Sequence, residues 1–339
     1  MRMSRENLRG AAGLVMALLI IVLVREVKPS TSMAPDFPCG NPGDEVVISI
    51  ASGESGSSIA SRLYTHKVVR SSAAFFRVAV GDERSGSIAP GDHRIESGIC
   101  AKQALEQLLD NSRITNLLAI NEGAWNSEIS TKLVALGFPQ EKVVKEFDSY
   151  RIPVGYSSLE GLLFPAQYSF DTSTSLTEIL GSLVDRGLKE IKRAGISKPQ
   201  DGFSPQELLV IASLAQAEGD TSDYRKISQV VRNRLAINMP LQFDSTVHYI
   251  KESRGSIFLS TKSTLFNSPF NTYQNRGLPP TPINNPGFLA MEAAGNPTPG
   301  NWLYFITVAP GDTRFTDSYA QFSEWKLIYK KNLREGKFK

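Results

Sequence analysis

The 339-residue sequence has few of the residues that build metal or redox centres. It contains two cysteines, Cys39 and Cys100, and three histidines scattered along the chain. No CxxC pair and no HExxH pattern occurs, so the sequence predicts no metal site and no thiol redox motif. A glycine-rich phosphate-binding motif is also absent from the sequence, which argues against a phosphate-binding enzyme, and we expect no cofactor.

An excess of charge of one sign is also missing. The formal net charge is +3, and residues of both signs are interspersed. A nucleic-acid binder usually carries a basic patch or stripe, so we expect no nucleic-acid partner. The two cysteines leave one question open. A disulfide between them suits a body that lies outside the cytoplasm, but the sequence does not show that they meet.

The sequence has one uncharged hydrophobic run near its start, from Gly10 to Val24, with Arg9 before it and Arg25 after it. As a helix it would span about 22 Å, short of a bilayer core of about 30 Å, and snorkelling arginines can make up the difference. The alternative is a cleaved signal peptide, but the nearby small residues form a poor cleavage site because Pro35 would follow it. We therefore expect an uncleaved single-pass anchor, with the N-terminus inside and the body outside.

Patterning divides the remaining chain into an α+β architecture of several parts. The predicted parts are an N-terminus with membrane anchor (1–28), a Pro- and Gly-rich linker (29–44), a small α+β module (45–114), a connecting α/β segment (115–154) and a large mixed α+β domain (155–335). In the small module, VVISI (46–50) and HRIE (93–96) are predicted strands, and AKQALEQLLD (101–110) is a strongly periodic helix. We see no internal repeat.

A helix that begins near Ser204 carries the first candidate catalytic group. Ser204 and Glu207 form a capping-box pattern around Pro205, which is typical of a helix start. Glu218 continues the stripe of Ile211 and Leu214, so it shares the apolar side of the helix and sits at its C-terminal end. Partial burial and the helix terminus both disfavour its anion, which suits a general acid. The alternative is a surface glutamate at a frayed helix end.

Two further segments carry candidate groups. The next predicted helix, about 222–237, bears Arg232, which we interpret as part of a solvated basic face. Asp244 precedes an apolar segment and is either an N-cap or a site residue. The segment SPFNTYQNRGLPPTPINNPG (268–287) is a long loop rich in Pro, Asn and Gly, and such loops are more often functional than not. The alternative is a rigid crossover loop without a ligand.

Four stretches resemble the YceG-like/MltG family of endolytic murein transglycosylases. These are LEGLLFPAQY, IASLAQAEGD with VVRNRL, LQFDSTVHY, and SPFNTYQNRGLPPTPINNPG. The last stretch is the most specific, and the small module resembles the family's LysM-like domain. The resemblance covers about residues 45–335, with the short anchor in the expected place.

The resemblance implies a fold and a reaction. The fold is a small LysM-like module followed by a mixed α+β catalytic domain, with an N-terminal membrane helix. The reaction cuts the β-1,4 bond between N-acetylmuramic acid and N-acetylglucosamine inside a peptidoglycan strand without adding water. The 6-hydroxyl of the muramic acid attacks its own anomeric carbon and leaves a 1,6-anhydro end. The implied place is the bacterial inner membrane beside peptidoglycan synthases, where the cut terminates strand elongation.

This chemistry explains a single glutamate, since one residue can first donate a proton and then accept one. The resemblance assigns Glu218 as this acid/base. Asn271 and Tyr273 are expected to position the substrate, Gln242 and Asp244 to line or brace the cleft, and Glu160 is a further candidate.

The sequence departs from the family pattern at four positions, which puts supporting contacts in doubt. They are Gln216 for a second glutamate, Ala166 for an aspartate, Ser245 for a proline and Thr281 for a glycine.

Two alternative functions stay open from the sequence. The departures at Gln216 and Ala166 are compatible with a membrane-anchored peptidoglycan-binding scaffold that has lost catalysis. An ordinary hydrolase would need a second carboxylate as base or nucleophile, with Asp244 or Glu160 as the candidates. Hydrolysis would give reducing muramic acid ends, whereas a transglycosylase gives anhydro ends.

Overall fold

The structure is a computed structural model that describes residues 34–51, 53–170, 173–254 and 262–338. The expected membrane anchor at Gly10–Val24 lies outside these residues. Among the residues that the structure describes, no helix has the length and apolar content that a bilayer crossing needs. The described residues form two compact units, 34–115 and 116–338. The boundary falls one residue beyond the predicted end of the small module at residue 114.

The first unit is a three-stranded antiparallel sheet with helices. Its described elements are β1 (Glu45–Ile50), α1 (Gly56–Thr65), α2 (Ser72–Val80), β2 (Gly91–Glu96), α3 (Ala101–Leu109) and β3 (Ile114–Thr115). The strands lie in the order β1-β2-β3, and Ile48 pairs with His93 in the centre of the β1–β2 ladder. Ser55 and Ser71 cap α1 and α2 by accepting backbone N–H groups. The predicted strands and helices of this module therefore form.

The two cysteines are joined, which answers the question that the sequence left open. Cys39 and Cys100 form a disulfide with a sequence separation of 61 residues. Cys100 is the N-cap of α3 and supplies no side-chain cap. Asp36 replaces it, because both of its carboxylate oxygens accept from the Ala101 amide at 3.1 Å. The chain before β1 is therefore fastened to the start of α3 by one covalent and one polar contact.

The second unit is mixed α+β, with mostly helical elements. Its described helices are α4 (Asn126–Ala135), α5 (Gln140–Ser149), α6 (Leu176–Arg193), α7 (Pro205–Glu218), α8 (Tyr224–Ala236), α9 (Asp244–Ile250), α10 (Phe288–Gly295) and α11 (Tyr319–Arg334), and its strands are β4 (Leu117–Ala119), β5 (Gln167–Ser169), β6 (Tyr304–Ala309) and β7 (Asp312–Thr316). The strands pair antiparallel as β4–β5 and β6–β7. Leu118, Ile129 and Val143 belong to its main apolar core, so the segment 115–154 packs here from residue 116 onward.

Helix α7 lies at the centre of this core. The predicted capping box is present, since the Glu207 amide donates to Ser204 Oγ and Glu207 Oε2 accepts from the Ser204 amide at 2.8 Å. Every residue from Leu208 to Ala215 is buried. The expectation of a single apolar side is therefore wrong for this helix, which is covered on all sides because α8 and α10 both pack on it.

The C-terminal elements agree with the sequence except in one detail. The predicted hairpin forms from β6 and β7, and the final helix follows. In α11, Phe322 stacks on Tyr304 at 5.3 Å between ring centroids, as an apolar contact should. Ile328, which the pattern also assigned to the packed face, is exposed. Near the other end of the helix, the buried Asn332 donates from Nδ2 to the Val308 carbonyl at 2.8 Å, so the helix is attached to β6 at both ends.

The disulfide yields a stability prediction for the first unit. Replacing both Cys39 and Cys100 by serine should lower its unfolding free energy by about 4 kcal/mol, because a closed loop of this length constrains the unfolded chain. Chemical denaturation of the full chain, monitored by hydrogen exchange in α3, would measure the loss of unfolding free energy. The serine variant is also the control for reductant, which should lower the unfolding free energy of the unmutated chain and leave that of the variant unchanged. Equal sensitivity of both to reductant would contradict the assignment.

Candidate active site

Glu218 is the last residue of α7, and its carboxylate reaches the start of α9. The amide of Ser245 donates to Glu218 Oε1 at 3.3 Å. The N-cap residue of α9, Phe243, has no side-chain acceptor, so Glu218 satisfies one of the free N–H groups of that helix from outside. The chain leaves α7 close to α8 at Gly219, where a Cβ would lie 2.3 Å from Ile227 Cδ1. The side chain of Glu218 is partly buried, as the sequence predicts.

The surroundings of Glu218 favour its protonated form near neutral pH. Burial raises the pKa of Glu218 to about 7, and the negative charge of Asp244 acts in the same direction. Contacts from Ser245 and the positive charge of Arg234 lower this pKa and keep it from rising further. A carboxyl group balanced in this way holds a proton at neutral pH and can still release it, which a general acid and base must do.

Asp244 and Tyr273 form a pair beside Glu218. Asp244 is the first residue of α9 and is not its N-cap, so the N-cap alternative is wrong. The Tyr273 hydroxyl donates to Asp244 Oδ1, and burial raises the pKa of Tyr273. Gln242 precedes them with φ +51°, and its amide donates to the Thr272 carbonyl at 3.1 Å. Its side chain is exposed, so it is free to line a cleft as expected.

Asn271 lies in the same loop but faces inward. It is fully buried, and its Nδ2 donates to the carbonyl oxygens of Thr264 at 3.1 Å and Phe266 at 2.7 Å. Its Oδ1 accepts from the Tyr273 amide at 3.0 Å. The structure therefore gives Asn271 the task of shaping the loop that presents Tyr273. A direct contact between Asn271 and a substrate stays a prediction.

Glu160 belongs to a separate buried cluster. It is 5% exposed and accepts from the Asn126 amide at 3.1 Å, the Tyr249 hydroxyl at 3.1 Å and Asn285 Nδ2 at 3.2 Å. Burial raises the pKa of Glu160 to about 8. None of these three donors bonds to Glu218 in the described residues. The structure therefore brings together Glu218, Asp244 and Tyr273, and it leaves Glu160 outside that group.

Asn285 is the centre of the Glu160 cluster. Its Oδ1 accepts from the amides of Gly161 at 3.0 Å and Leu163 at 2.8 Å, and its Nδ2 also donates to the Ala124 carbonyl at 3.0 Å. Gly161 has φ +93°, and a Cβ there would lie 2.6 Å from Pro282. Three segments distant in sequence are thus joined by one buried amide, which fixes the frame around the site.

Arg234 is a site residue that the sequence analysis missed. It is 7% exposed, its Nε donates to the Leu303 carbonyl at 2.7 Å, and its Nη1 donates to the Leu241 carbonyl. These partners are neutral, so its positive charge remains to act on Glu218. The spacing could have revealed it, since Arg234 continues the buried stripe of Ile227 and Val231.

Arg232, on the same helix, corrects a second expectation. We expected a solvated side chain, but its side chain is only 11% exposed. It pairs with Asp201 at 2.9 Å and donates to the Ala294 carbonyl at 2.7 Å. Its guanidinium also lies 4.9 Å from the centre of the Phe203 ring. Arg232 therefore ties α8 to its neighbours instead of presenting a basic face.

Helix α7 also holds the second half of the loop 268–287. Ser213 Oγ accepts from the Ile283 amide at 3.1 Å, and one turn later Gln216 Oε1 accepts from the Gly287 amide at 2.9 Å. Gln216 Nε2 donates to the Tyr224 hydroxyl at 2.6 Å. The chain therefore has a neutral side chain two residues before Glu218, where the family pattern has a second glutamate. The amide oxygen of Gln216 accepts one hydrogen bond and its amide nitrogen donates one.

The arrangement is suited to proton transfer by one carboxyl group. In the described ranges no cluster of three or more His, Cys, Asp or Glu residues could hold a metal ion. The protonated Glu218 can donate to a leaving oxygen, and the resulting anion is stabilised by the Ser245 amide and the charge of Arg234. The same anion can then accept a proton from an incoming hydroxyl group.

Comparison with known proteins gives a matching family, several named relatives and a solved structure of similar fold. The model of the YceG-like family matches residues 48–326. A Bacillus subtilis protein named endolytic murein transglycosylase is 31% identical over 307 residues, which is 84% of each chain. Proteins of the same name from two Streptococcus pneumoniae strains are 35% identical over 182 residues, where the chain spans only 31% of those relatives. A solved Listeria monocytogenes structure, described as yceG-like, has TM-score 0.57 and 25% identity and covers 83% of this chain and 99% of its own.

The Ser245 contact leads to a prediction about Glu218. Ser245→Pro removes the amide donor while a proline fits the first turn of a helix, so the pKa of Glu218 should rise above about 7, by roughly 1. Carbon-13 NMR titration of glutamate carboxyl groups would measure it, with the signal assigned by its loss in Glu218→Gln. Ser245→Ala keeps the amide and removes only the hydroxyl, whose contact also lowers this pKa, so the further rise in the proline variant measures the amide alone. A pKa that is unchanged in the proline variant would contradict the contact.

Glu160 generates a prediction about stability and pH. Its pKa is raised from 4.5 to about 8 in the fold, so between these values the folded chain binds more protons than the unfolded chain. Its contribution to the unfolding free energy therefore falls as pH rises from about 5 to about 8, on the order of 3 kcal/mol.

The test compares the chain with Glu160→Gln, which imitates the neutral acid. Urea unfolding at several pH values should show that the unfolding free energy of the variant increases relative to that of the unmutated chain as pH rises. Glu207→Gln, at the exposed helix start, controls for loss of one charge. A constant difference between Glu160→Gln and the unmutated chain across this pH range would rule out the assigned titration.

Proposed function

The chain belongs to the YceG-like family, and from this premise we propose that it is an endolytic murein transglycosylase whose acid/base is Glu218. The observation that carries the proposal is the setting of Glu218. It is a partly buried carboxyl group with a pKa of about 7, and it has a positive charge and a backbone donor ready for its anion.

The proposed substrate is a glycan strand of peptidoglycan. Protonated Glu218 donates its proton to the glycosidic oxygen between N-acetylmuramic acid and N-acetylglucosamine. The bond from that oxygen to the anomeric carbon breaks, and the N-acetylglucosamine side leaves with the proton. The 6-hydroxyl oxygen of the muramic acid bonds to the anomeric carbon, and its proton passes to Glu218. No water is consumed, the glutamate is restored, and a 1,6-anhydro end remains.

The neighbours of Glu218 have distinct parts in this cycle. Arg234 and the Ser245 amide stabilise the carboxylate at the stage when its proton is on the leaving group. Tyr273, held by Asp244 and placed by Asn271, presents a ring and a hydroxyl to the sugar. Since the first step needs the protonated acid, kcat/KM should fall as pH rises through about 7.

Three finer assignments belong to the same proposal. The run Gly10–Val24 anchors the chain in the bacterial cytoplasmic membrane, with the N-terminus inside and both units outside. The disulfide between Cys39 and Cys100 supports this placement, because disulfides persist in oxidising compartments. The first unit acts as a LysM-like module, and its order of strand, two helices and strand supports this likeness. The site works on nascent strands beside peptidoglycan synthases and ends their elongation.

The main experiment uses the full chain in detergent with purified peptidoglycan, beside Glu218→Gln. Mass spectrometry should find 1,6-anhydromuramic acid ends only with the unmutated protein, and the variant should lose at least a hundredfold of the rate, because general acid catalysis contributes that much. Glu141→Gln, at an exposed glutamate on α5, is the matched control, since it removes one negative charge outside the site and keeps Glu218. Reducing muramic acid ends would show hydrolysis instead. Binding of peptidoglycan without cleavage by the unmutated protein would point to a scaffold.

A further inference from the structure

A cavity of about 310 Å³ lies beside the end of α7 within the second unit. Its wall includes Gln216 and Ala217, which directly precede Glu218, and Ser245, whose amide bonds to Glu218. On the other side it is lined by Glu122 and Asn284. Its volume is at the lower end of the range for small-molecule sites and suits a single sugar ring. Glu218 itself is not among the lining residues, so a ligand in this cavity would adjoin Glu218 through Ala217 and Ser245.

Glu122 is the charged group of this cavity that has no partner of its own. It is exposed, and among the described residues it makes no ion pair and no hydrogen bond. Its carboxyl group is nonetheless seated closely against Gly287. A Cβ on Gly287 would lie 2.1 Å from the carboxyl carbon of Glu122, so the glycine is what leaves room for it. The carboxylate is therefore placed at the wall while both of its oxygens remain available to a ligand.

A second acceptor in the wall lacks a donor. Asn284 is 2% exposed, and its Nδ2 donates to the Ser213 carbonyl at 2.8 Å. Its Oδ1 is buried and has no hydrogen-bond partner among the described residues. An unpaired buried oxygen is costly, and a ligand N–H or O–H group that reached it would remove that cost.

The cation that lines the cavity is already neutralised. Arg254 donates to both carboxylate oxygens of Glu128, at 2.5 Å and 2.8 Å, and to the Gly123 carbonyl at 2.7 Å. Its guanidinium also lies 4.0 Å from the centre of the Trp125 ring. With Arg254 occupied, the cavity offers acceptors in excess and a net negative charge from Glu122. Such a lining favours a neutral ligand rich in donors and disfavours the carboxylates of a peptide stem.

We propose that this cavity is a subsite for one N-acetylated hexosamine residue of the glycan, with Glu122 accepting hydrogen bonds from its hydroxyl or acetamido groups. This subsite rests on the proposed function, because it places the sugar beside the bond that Glu218 protonates. Glu122 acts by holding the sugar, and it takes no part in the proton transfer. Its loss should therefore raise KM and leave kcat nearly unchanged.

The test measures binding of peptide-free N-acetylated glycan oligosaccharides by calorimetry. The full chain carries Glu218→Gln, so that the ligand is not cut. Adding Glu122→Ala should weaken binding roughly tenfold, the worth of a hydrogen bond to a charged group. Glu122→Gln, which keeps an acceptor oxygen and the size of the side chain, should lose less. Glu141→Ala, an exposed glutamate on α5 outside this cavity, is the matched control and should bind like its parent.

Three results would overturn the subsite. They are unchanged affinity in Glu122→Ala, no measurable oligosaccharide binding by the Glu218→Gln parent, and a loss in Glu122→Ala confined to peptide-bearing strands. The proposed function is tested apart from these results, by the anhydro ends that the unmutated chain makes. If those ends appear and the Glu122 variants bind normally, only the subsite fails. If those ends are absent although Glu122 is intact, the proposed function itself fails.

Discussion

The burial of α7 on every side is the constraint on which the rest of the second unit depends. A helix that is apolar all round must be enclosed, and α8 and α10 enclose it here. The enclosure leaves few positions at which the helix can meet solvent. Its C-terminal end is one of them, and Glu218 occupies it. The depth of the core therefore decides how strongly the carboxyl group is desolvated, and with it how readily the group keeps a proton.

Much of this fold could be predicted because its signals are local. The capping box at Ser204, the periodic spacing of AKQALEQLLD and the β-branched residues of VVISI act within a few residues, so they can be seen in one sequence. Helix α5 was not predicted, since it buries only Val143 and contains few apolar residues. The isotropic burial of α7 was also missed. Periodicity describes the faces of a helix and not how many neighbours will cover them.

The sequence indicated Glu218, Asp244 and Tyr273 as candidates for the site, but not the contacts that they make. The partners that set its behaviour come from distant segments, since Ser245 lies 27 residues from Glu218 and Asn285 lies 125 residues from Glu160. Their meeting is a property of tertiary packing, which spacing does not encode. Asn271 shows the opposite limit. Its amide is of the right chemical type to bind a sugar, but its polar atoms are occupied by the loop itself. Residue type indicates what a side chain can do, and only the fold determines which of those bonds are already made.

The cap that Glu218 provides for α9 couples the protonation state of Glu218 to the stability of the first turn of that helix. The bond from the Ser245 amide is charge-assisted while the carboxylate is ionised and weaker when it is protonated. The first turn of α9 is therefore firmer in one half of a catalytic cycle than in the other. Asp244 lies on that turn and carries Tyr273. By thermodynamic reciprocity, a contact on α9 that is stronger when Glu218 is ionised also makes Glu218 a stronger acid. A substitution on α9 that contacts neither Glu218 nor the substrate can therefore change both the pKa of Glu218 and the fit of the site around its substrate.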